Sequence, residues 1–152
     1  MTLPEIKEAL YQVCFEKVDN RYQKIKQTIA DIDESLLEED KSSAGDKHET
    51  GRAMLQIDRE NASKQMQEVV LVQELLKKMD IKSTSDYVRL GSLVKTDKYM
   101  YFISLSIGPI EINEIPYVCI ALNSPIGQTL AGKRKGDSIV FNDTNQKILA
   151  IY

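Results

Sequence analysis

Tryptophan is missing from the 152 residues, histidine occurs once and cysteine twice. Each scarcity removes a class of chemistry. His48 stands alone, with no Cys and no elbow-type Ser motif near it in sequence, so nucleophilic catalysis by a triad finds no support. Cys14 and Cys119 make neither a disulfide framework nor a four-ligand zinc site, because no C-x-x-C pair exists to hold a metal at short spacing. Gly127, Gly132 and Gly136 spell neither G-x-G-x-x-G nor G-x-x-x-x-G-K-[ST], which excludes the common phosphate-cradling loops. No apolar run approaches the ~20 residues of a membrane helix. The opening Met1-Thr2-Leu3-Pro4-Glu5 lacks the basic start and apolar stretch of a secretory signal, so a reduced, cytoplasmic protein is expected. A basic excess is missing as well, with 20 Lys plus Arg against 23 Asp plus Glu. Free nucleic acid is therefore a poor partner, since duplex binders carry a basic stripe to displace counterions. What remains is 42% hydrophobic and 28% charged, the balance of a folded chain rather than a disordered one.

The charge is unevenly spread. Residues 1–79 hold 12 basic and 16 acidic side chains, and residues 80–152 hold 8 and 7. Within the first part, Asp31, Asp33, Glu34, Glu38, Glu39 and Asp40 lie close together with no basic neighbour between them. The same part has helical periodicity: Ile6, Leu10, Cys14, Val18, Tyr22, Ile25, Ile29, Ile32 and Leu36 recur at steps of 3 and 4, settling into a seven-residue repeat from Val18, which is a coiled-coil seam. Thr2 and Glu5 can form a capping box, and Pro4 is tolerated in a first turn. The pattern lapses between Glu38 and Gly51, where Lys41-Ser42-Ser43-Ala44-Gly45 suits a reversal. It resumes with Leu55, Ala62, Met66, Val69, Val72, Leu76 and Met79. Two helices of about 50 Å joined by a short loop should fold back as an antiparallel hairpin, and the long seam invites antiparallel self-pairing when the protein is free.

Beyond Asp80 the pattern changes. Arg89–Val94, Tyr99–Ile107, Pro116–Leu122, Ser138–Phe141 and Lys147–Tyr152 are rich in aromatic and β-branched residues and are punctuated by Gly, Pro, Asn and Asp, which predicts strands. Ser124-Pro125 opening and Gly132 closing a short segment predict one helix among them. The expected organisation is α+β: an antiparallel two-helix coiled-coil hairpin with an acidic tip over 1–79, a linker over 80–86 and a compact α+β domain over 87–152.

Two carboxylates stand out at the reversal. Asp46 and Glu49 are three apart, so a helical turn brings them to one side of the tip, where hard oxygen ligands suit a Mg²⁺ that takes its remaining ligands elsewhere. Asp-x-x-Glu is equally a capping box, with Asp46 as N-cap, and on spacing alone the cap is the commoner role.

Taken together, Gly45-Asp46-Lys47-His48-Glu49 and the run from Ser124-Pro125-Ile126-Gly127 through Leu130-Ala131-Gly132-Lys133 to Gly136-Asp137 resemble the Gre transcript-cleavage factors of bacterial RNA polymerase. Their hairpin tip carries Gly-Asp-x-x-Glu-Asn, and their C-terminal domain carries Ser-Pro-x-Gly…Leu-x-Gly-Lys-x-x-Gly-Asp. The resemblance covers essentially the whole chain. It implies an FKBP-like second half, RNA polymerase as partner and insertion of the hairpin into the polymerase's secondary channel. There Asp46 and Glu49 would help hold a second Mg²⁺ shared with the polymerase and activate the water that cuts backtracked RNA. The protein would not be an enzyme by itself and would hold no cofactor tightly. By the same resemblance Ser124, Pro125, Gly127, Gly132, Lys133, Gly136 and Asp137 form the polymerase-docking region. Arg52 and Arg59, on the second helix near the tip, are placed to face a phosphate of the nascent RNA 3′ end, although Arg at exposed helical sites is common for propensity alone.

The tip departs from the family in Thr50-Gly51-Arg52-Ala53, where classical members have Asn-Ala, an acidic residue and an aromatic. A regulator that enters the channel without stimulating cleavage fits the same residues, and so does a coiled-coil interaction module whose binding ignores the tip carboxylates. Prolyl isomerisation ranks last, because a fold does not confer an activity and no Trp is present to line a pocket. His48 reads as a solvated loop residue, Lys133-Arg134-Lys135 as a solvated basic turn, and the two cysteines as small core residues.

Overall fold

The computed structural model describes residues 1–41 and 45–152, with the backbone alone for residues 45–48. The reversal expected at Lys41–Gly45 thus falls in part, at residues 42–44, outside the described residues. Helix α1 runs Leu3–Lys41 and α2 Gly45–Lys78. The capping box forms as expected: the Thr2 amide donates to Glu5 Oε2 at 3.2 Å and the Glu5 amide to Thr2 Oγ1 at 3.4 Å, satisfying amides that a helix start leaves unpaired. Lys41 ends α1, and Lys77 and Lys78 end α2, where cations suit the negative end of the helix dipole.

Contacts group the chain into two units, Glu16–Leu75 and a second made of Met1–Phe15 with Leu76–Tyr152. This division draws its line elsewhere than the expected 1–79, 80–86 and 87–152 segments, because the first turns of α1 pack with the sheet. In the first unit Val18, Ile25 and Ile32 are buried at intervals of seven, as are Ala62 and Val69. Three ion pairs fix the direction of the two helical stretches: Arg21 with Glu68, Asp33 with Arg59, and Asp40 with Arg52. As α1 numbers rise, α2 numbers fall, which is an antiparallel hairpin.

The second unit carries a six-stranded mixed sheet. Strands β1 (Leu93–Thr96), β2 (Met100–Ser104), β3 (Gly108–Ile112), β4 (Ile115–Ala121), β5 (Ser138–Phe141) and β6 (Thr144–Ile151) lie in the order β3-β4-β2-β1-β6-β5, with helix α3 (Pro125–Leu130) between β4 and β5 in sequence. Only β2 and β4 are parallel, Phe102 opposite Cys119 and Ile103 opposite Ile120. Tyr101, Ile103, Ile120 and Ile148 on one face meet Leu130 and Ile139 in a closed core. The alternate residues Phe102, Ser104 and Cys119 are buried too, so β2 is covered on both faces and reads as a continuous apolar run rather than an alternating one.

Sequence reading missed β3. Pro109 argues against a strand, yet β3 is the sheet's edge, where a missing N–H leaves no ladder bond unmade. The β3–β4 turn also lacks the usual glycine: Asn113 and Glu114 take φ of 52° and 68°, the left-handed pair a tight hairpin needs. Strand β1 starts later than expected, because Arg89–Ser92 form a turn in which Ser92 Oγ accepts the Arg89 amide at 3.0 Å. Among the described residues, no helix is long and apolar enough to cross a membrane.

Candidate functional site

Asp46 and Glu49 both fall in the first turn of α2. Glu49 is exposed. The side chains of Asp46 and His48 lie outside the described residues, so the choice between cap and metal ligand for Asp46 falls there as well. Among the described residues no three His, Cys, Asp or Glu gather as a metal cluster. The exposed Glu49 carboxylate is nevertheless a hard oxygen donor of the kind that Mg²⁺ accepts when other ligands arrive from a partner.

The acidic run behind the tip is partly neutralised from α2. Arg59 Nε donates to Asp33 Oδ1 at 2.9 Å, and its guanidinium also reaches Ser63 Oγ. Arg52 pairs with Asp40. Both arginines named for RNA contact are therefore engaged by carboxylates of α1, which would have to be exchanged before a phosphate could be held. Sequence reading did not draw this pairing, for which the run of acids on α1 and two arginines a heptad apart were the only signal available. Glu34 and Glu38 remain exposed, and the Asp31 carboxylate accepts from Gln27 Nε2 at 2.8 Å.

The Ser124–Asp137 region has a local structural reason for nearly every residue in its signature. Ser124 caps α3, its Oγ accepting the Gly127 amide at 3.1 Å, and Pro125 takes the first helical turn. Gly127 is required by a close approach: a Cβ there would lie 2.0 Å from the Ala121 carbonyl oxygen and 2.7 Å from that of Leu122. The chain leaves α3 through Gly132 at φ 74° and turns again at Gly136 at φ 92°, both in the region that favours glycine. Asp137 Oδ2 accepts the Arg134 amide at 2.8 Å and closes the second turn. The Lys133 carbonyl accepts the Val88 amide at 2.8 Å, and the Gly132 amide donates to the Val88 carbonyl at 2.8 Å, fastening this loop to the start of the sheet unit. What the region offers outward includes the exposed Pro125, Gln128, Gly132, Lys133, Lys135, Gly136 and Asp137, with Arg134 held by Asp86 at 3.1 Å and over the Tyr87 ring.

No family model and no curated protein matches the chain. Among solved structures it is similar to the transcription factor Gfh1, at 15% identity over 93% of this chain and 92% of that one with a TM-score of 0.35. It is likewise similar to the GreA factor homolog 1 (Gfh1) protein of Thermus thermophilus, at 15% identity over 93% of this chain and 94% of that one with a TM-score of 0.34.

Two residues at the base of α1, Lys7 and Tyr11, escaped the sequence reading, whereas Cys14 is the small core residue expected. Lys7 is buried, and its ammonium donates to the Tyr152 main-chain oxygen at 2.9 Å. Burial pushes its pKa down, opposed by the nearby Asp80 carboxylate. Tyr11 OH donates to the Leu76 carbonyl at 3.1 Å. Cys14 Sγ donates to Ser104 Oγ at 3.7 Å, and the hydrogen bond with Cys14, together with burial, pushes the Cys119 thiol well above its ordinary range. Both cysteines are buried thiols, an environment that keeps structural cysteines inert. The signal for Lys7 was its place seven residues before Cys14 on the seam, which an apolar search passes over.

Proposed function

We propose that this chain is a Gre-type elongation factor. It attaches to RNA polymerase through its sheet unit, enters the secondary channel with its hairpin and stimulates cleavage of backtracked RNA. The observation that carries the reading is the position of Asp46 and Glu49, which fall at the very start of the second long helix of an antiparallel hairpin. That is where two carboxylates must be if they are to reach an active site at the bottom of a narrow channel. The polymerase would supply one Mg²⁺ and most ligands, and Asp46 and Glu49 would steady a second ion and orient its water, following two-metal logic. Attachment falls to the outward residues of the Ser124–Asp137 region, Pro125, Lys133 and Lys135 first, because a net-negative hairpin offers little to hold an enzyme by.

One observation favours a second reading, a channel-binding regulator without cleavage stimulation. Arg52 and Arg59 are held by Asp40 and Asp33, so these two basic side chains behind the tip are not poised for an RNA phosphate. A photo-reactive residue in place of Thr50 distinguishes channel entry from other binding. Crosslinking to the RNA 3′ end in a backtracked complex is expected, and polymerase binding without any such crosslink would refute insertion of the tip.

A further inference from the structure

The sheet unit contains a cavity of about 290 Å³ whose lining includes Tyr99, Tyr101, Ile126, Phe141 and Gln146 and no charged residue. Gln146 is only 3% exposed. Its Oε1 accepts from Thr96 Oγ1 at 2.8 Å and from Tyr101 OH at 3.1 Å. Thr96 Oγ1 already accepts the amides of Lys98 at 3.1 Å and Tyr99 at 2.9 Å. With both lone pairs occupied the hydroxyl can only donate, so the Gln146 atom facing it is the oxygen. Both N–H groups of the carboxamide are then left without an acceptor among the described residues, beside a cavity that Gln146 lines. Buried donors are nearly always paired, and here the missing partner is a neutral acceptor such as a carbonyl oxygen attached to an apolar body.

A second cavity of about 450 Å³ adjoins the first, for both are lined by Tyr99 and Val118. It adds Lys95, Lys98 and Asp97. The Asp97 carboxylate keeps its charge while it accepts the Lys147 amide at 2.9 Å, so the three charged side chains of this lining sum to one net positive charge. The neutral acceptor and the negative charge are called for by two adjoining cavities that share Tyr99 and Val118. A compact molecule would meet one demand, whereas an extended chain meets both and brings a carbonyl at every residue.

We propose that the two cavities form one groove for an extended peptide segment of another protein. An aliphatic side chain sits over Gln146, a main-chain carbonyl of the peptide accepts from Gln146 Nε2, and an acidic side chain lies near Lys95 and Lys98. The proposal goes beyond the polymerase reading and does not depend on it, because its test contains no polymerase.

The test follows the Gln146 side-chain amide signals of the ¹⁵N-labelled full chain while a blocked pentapeptide, acetyl-Glu-Ala-Leu-Ala-Glu-amide, is added. Saturating shifts with Kd below about 1 mM are expected. Replacing the peptide's Leu by Ser, or both of its Glu by Lys, should weaken binding by about tenfold or more. Gln146→Glu keeps an acceptor for Thr96 and Tyr101 but loses both donors, and Tyr99→Ala removes a half-exposed ring shared by both cavities. Each should weaken the parent peptide by about tenfold, and the second keeps the test valid if the first fails to fold. Still signals at about 5 mM peptide, equal affinity for the Leu and Ser peptides or for the Glu and Lys peptides, or equal binding by N-acetyl-leucine N-methylamide would each overturn the proposal.

Discussion

The hairpin stretch Glu16–Leu75 and the sheet unit hold themselves together by different means. Among the described residues of the hairpin the buried apolar ones are Val18, Ile25, Ile32, Ala62 and Val69, a line one residue wide. In the sheet unit Phe102, Leu93, Ile103, Leu130 and Ile148 are each 0% exposed and come from four separate elements, β1, β2, α3 and β6. A one-residue seam spreads its stabilisation thinly along the helices, so a single loss is local. A three-dimensional core concentrates it, so a single loss is felt by several strands at once.

The sharpest way to break this comparison is a pair of truncations. Phe102→Ala should lower the unfolding free energy of the sheet unit by about 3–5 kcal/mol. Ile25→Ala should cost about 2 kcal/mol or less, because the thin seam lets neighbours and water close on the gap. Urea unfolding followed by circular dichroism reads both, and equal losses would mean that the hairpin has a deeper core than its burial shows. Next in size is Gly127→Ala. Its new methyl would meet the Ala121 carbonyl oxygen at 2.0 Å, an overpacking that should cost about 1–3 kcal/mol while leaving hairpin helicity intact. Ser124→Ala removes the α3 cap and should cost about 1 kcal/mol, with Ser124→Asn nearly neutral. A loss no larger for Ser124→Ala than for Ser124→Asn would show that the α3 cap contributes nothing to the fold.

The smallest effect sharpens the junction between helix and sheet. Asp80 Oδ1 accepts the amides of Lys82 and Ser83, each at 3.0 Å. The Ser83 amide first, then the Ser83 hydroxyl and the Lys82 amide, hold its carboxyl at about 2, against an ordinary 3.8. A depressed carboxylate stabilises the fold above its unfolded value, and that contribution is lost as pH falls through the folded one. Stability should therefore fall between about pH 4 and pH 2, and Asp80→Asn should flatten that part of the profile. An Asp80 carboxyl that titrates near 3.8 by NMR would remove the basis for this.

Legibility in the sequence divides along the same line. The seam residues from Ile6 to Leu36 and from Leu55 to Met79 were readable because one helical period runs through them, and every one is buried or half-buried. The Ser124 cap and the Gly132 stop were readable because local chemistry decides them. Strand β3 was not, since only the pairing of Gly108–Ile112 with Ile115–Cys119 shows that Pro109 sits on an edge. Nor were Lys7, Gln146 and the arginine partners, whose contacts join residues 12 to 145 positions apart. The Ser124–Asp137 signature could be recognised without its reason, which is the 2.0 Å approach at Gly127 and two left-handed turns.

The central claim is that the carboxylates at the start of α2 serve a metal in another protein's active site rather than only their own helix. Asn caps about as well as Asp, and Gln can take the place of Glu in a capping box, so Asp46→Asn and Glu49→Gln separate the two roles. The decisive measurement is RNA cleavage in a backtracked polymerase complex with Mg²⁺, comparing the parent with each variant at matched polymerase occupancy. The account predicts short RNA fragments with the parent and their loss with either variant, at unchanged melting temperature. Cleavage by both variants at the parent's rate, or none by the parent, would contradict it.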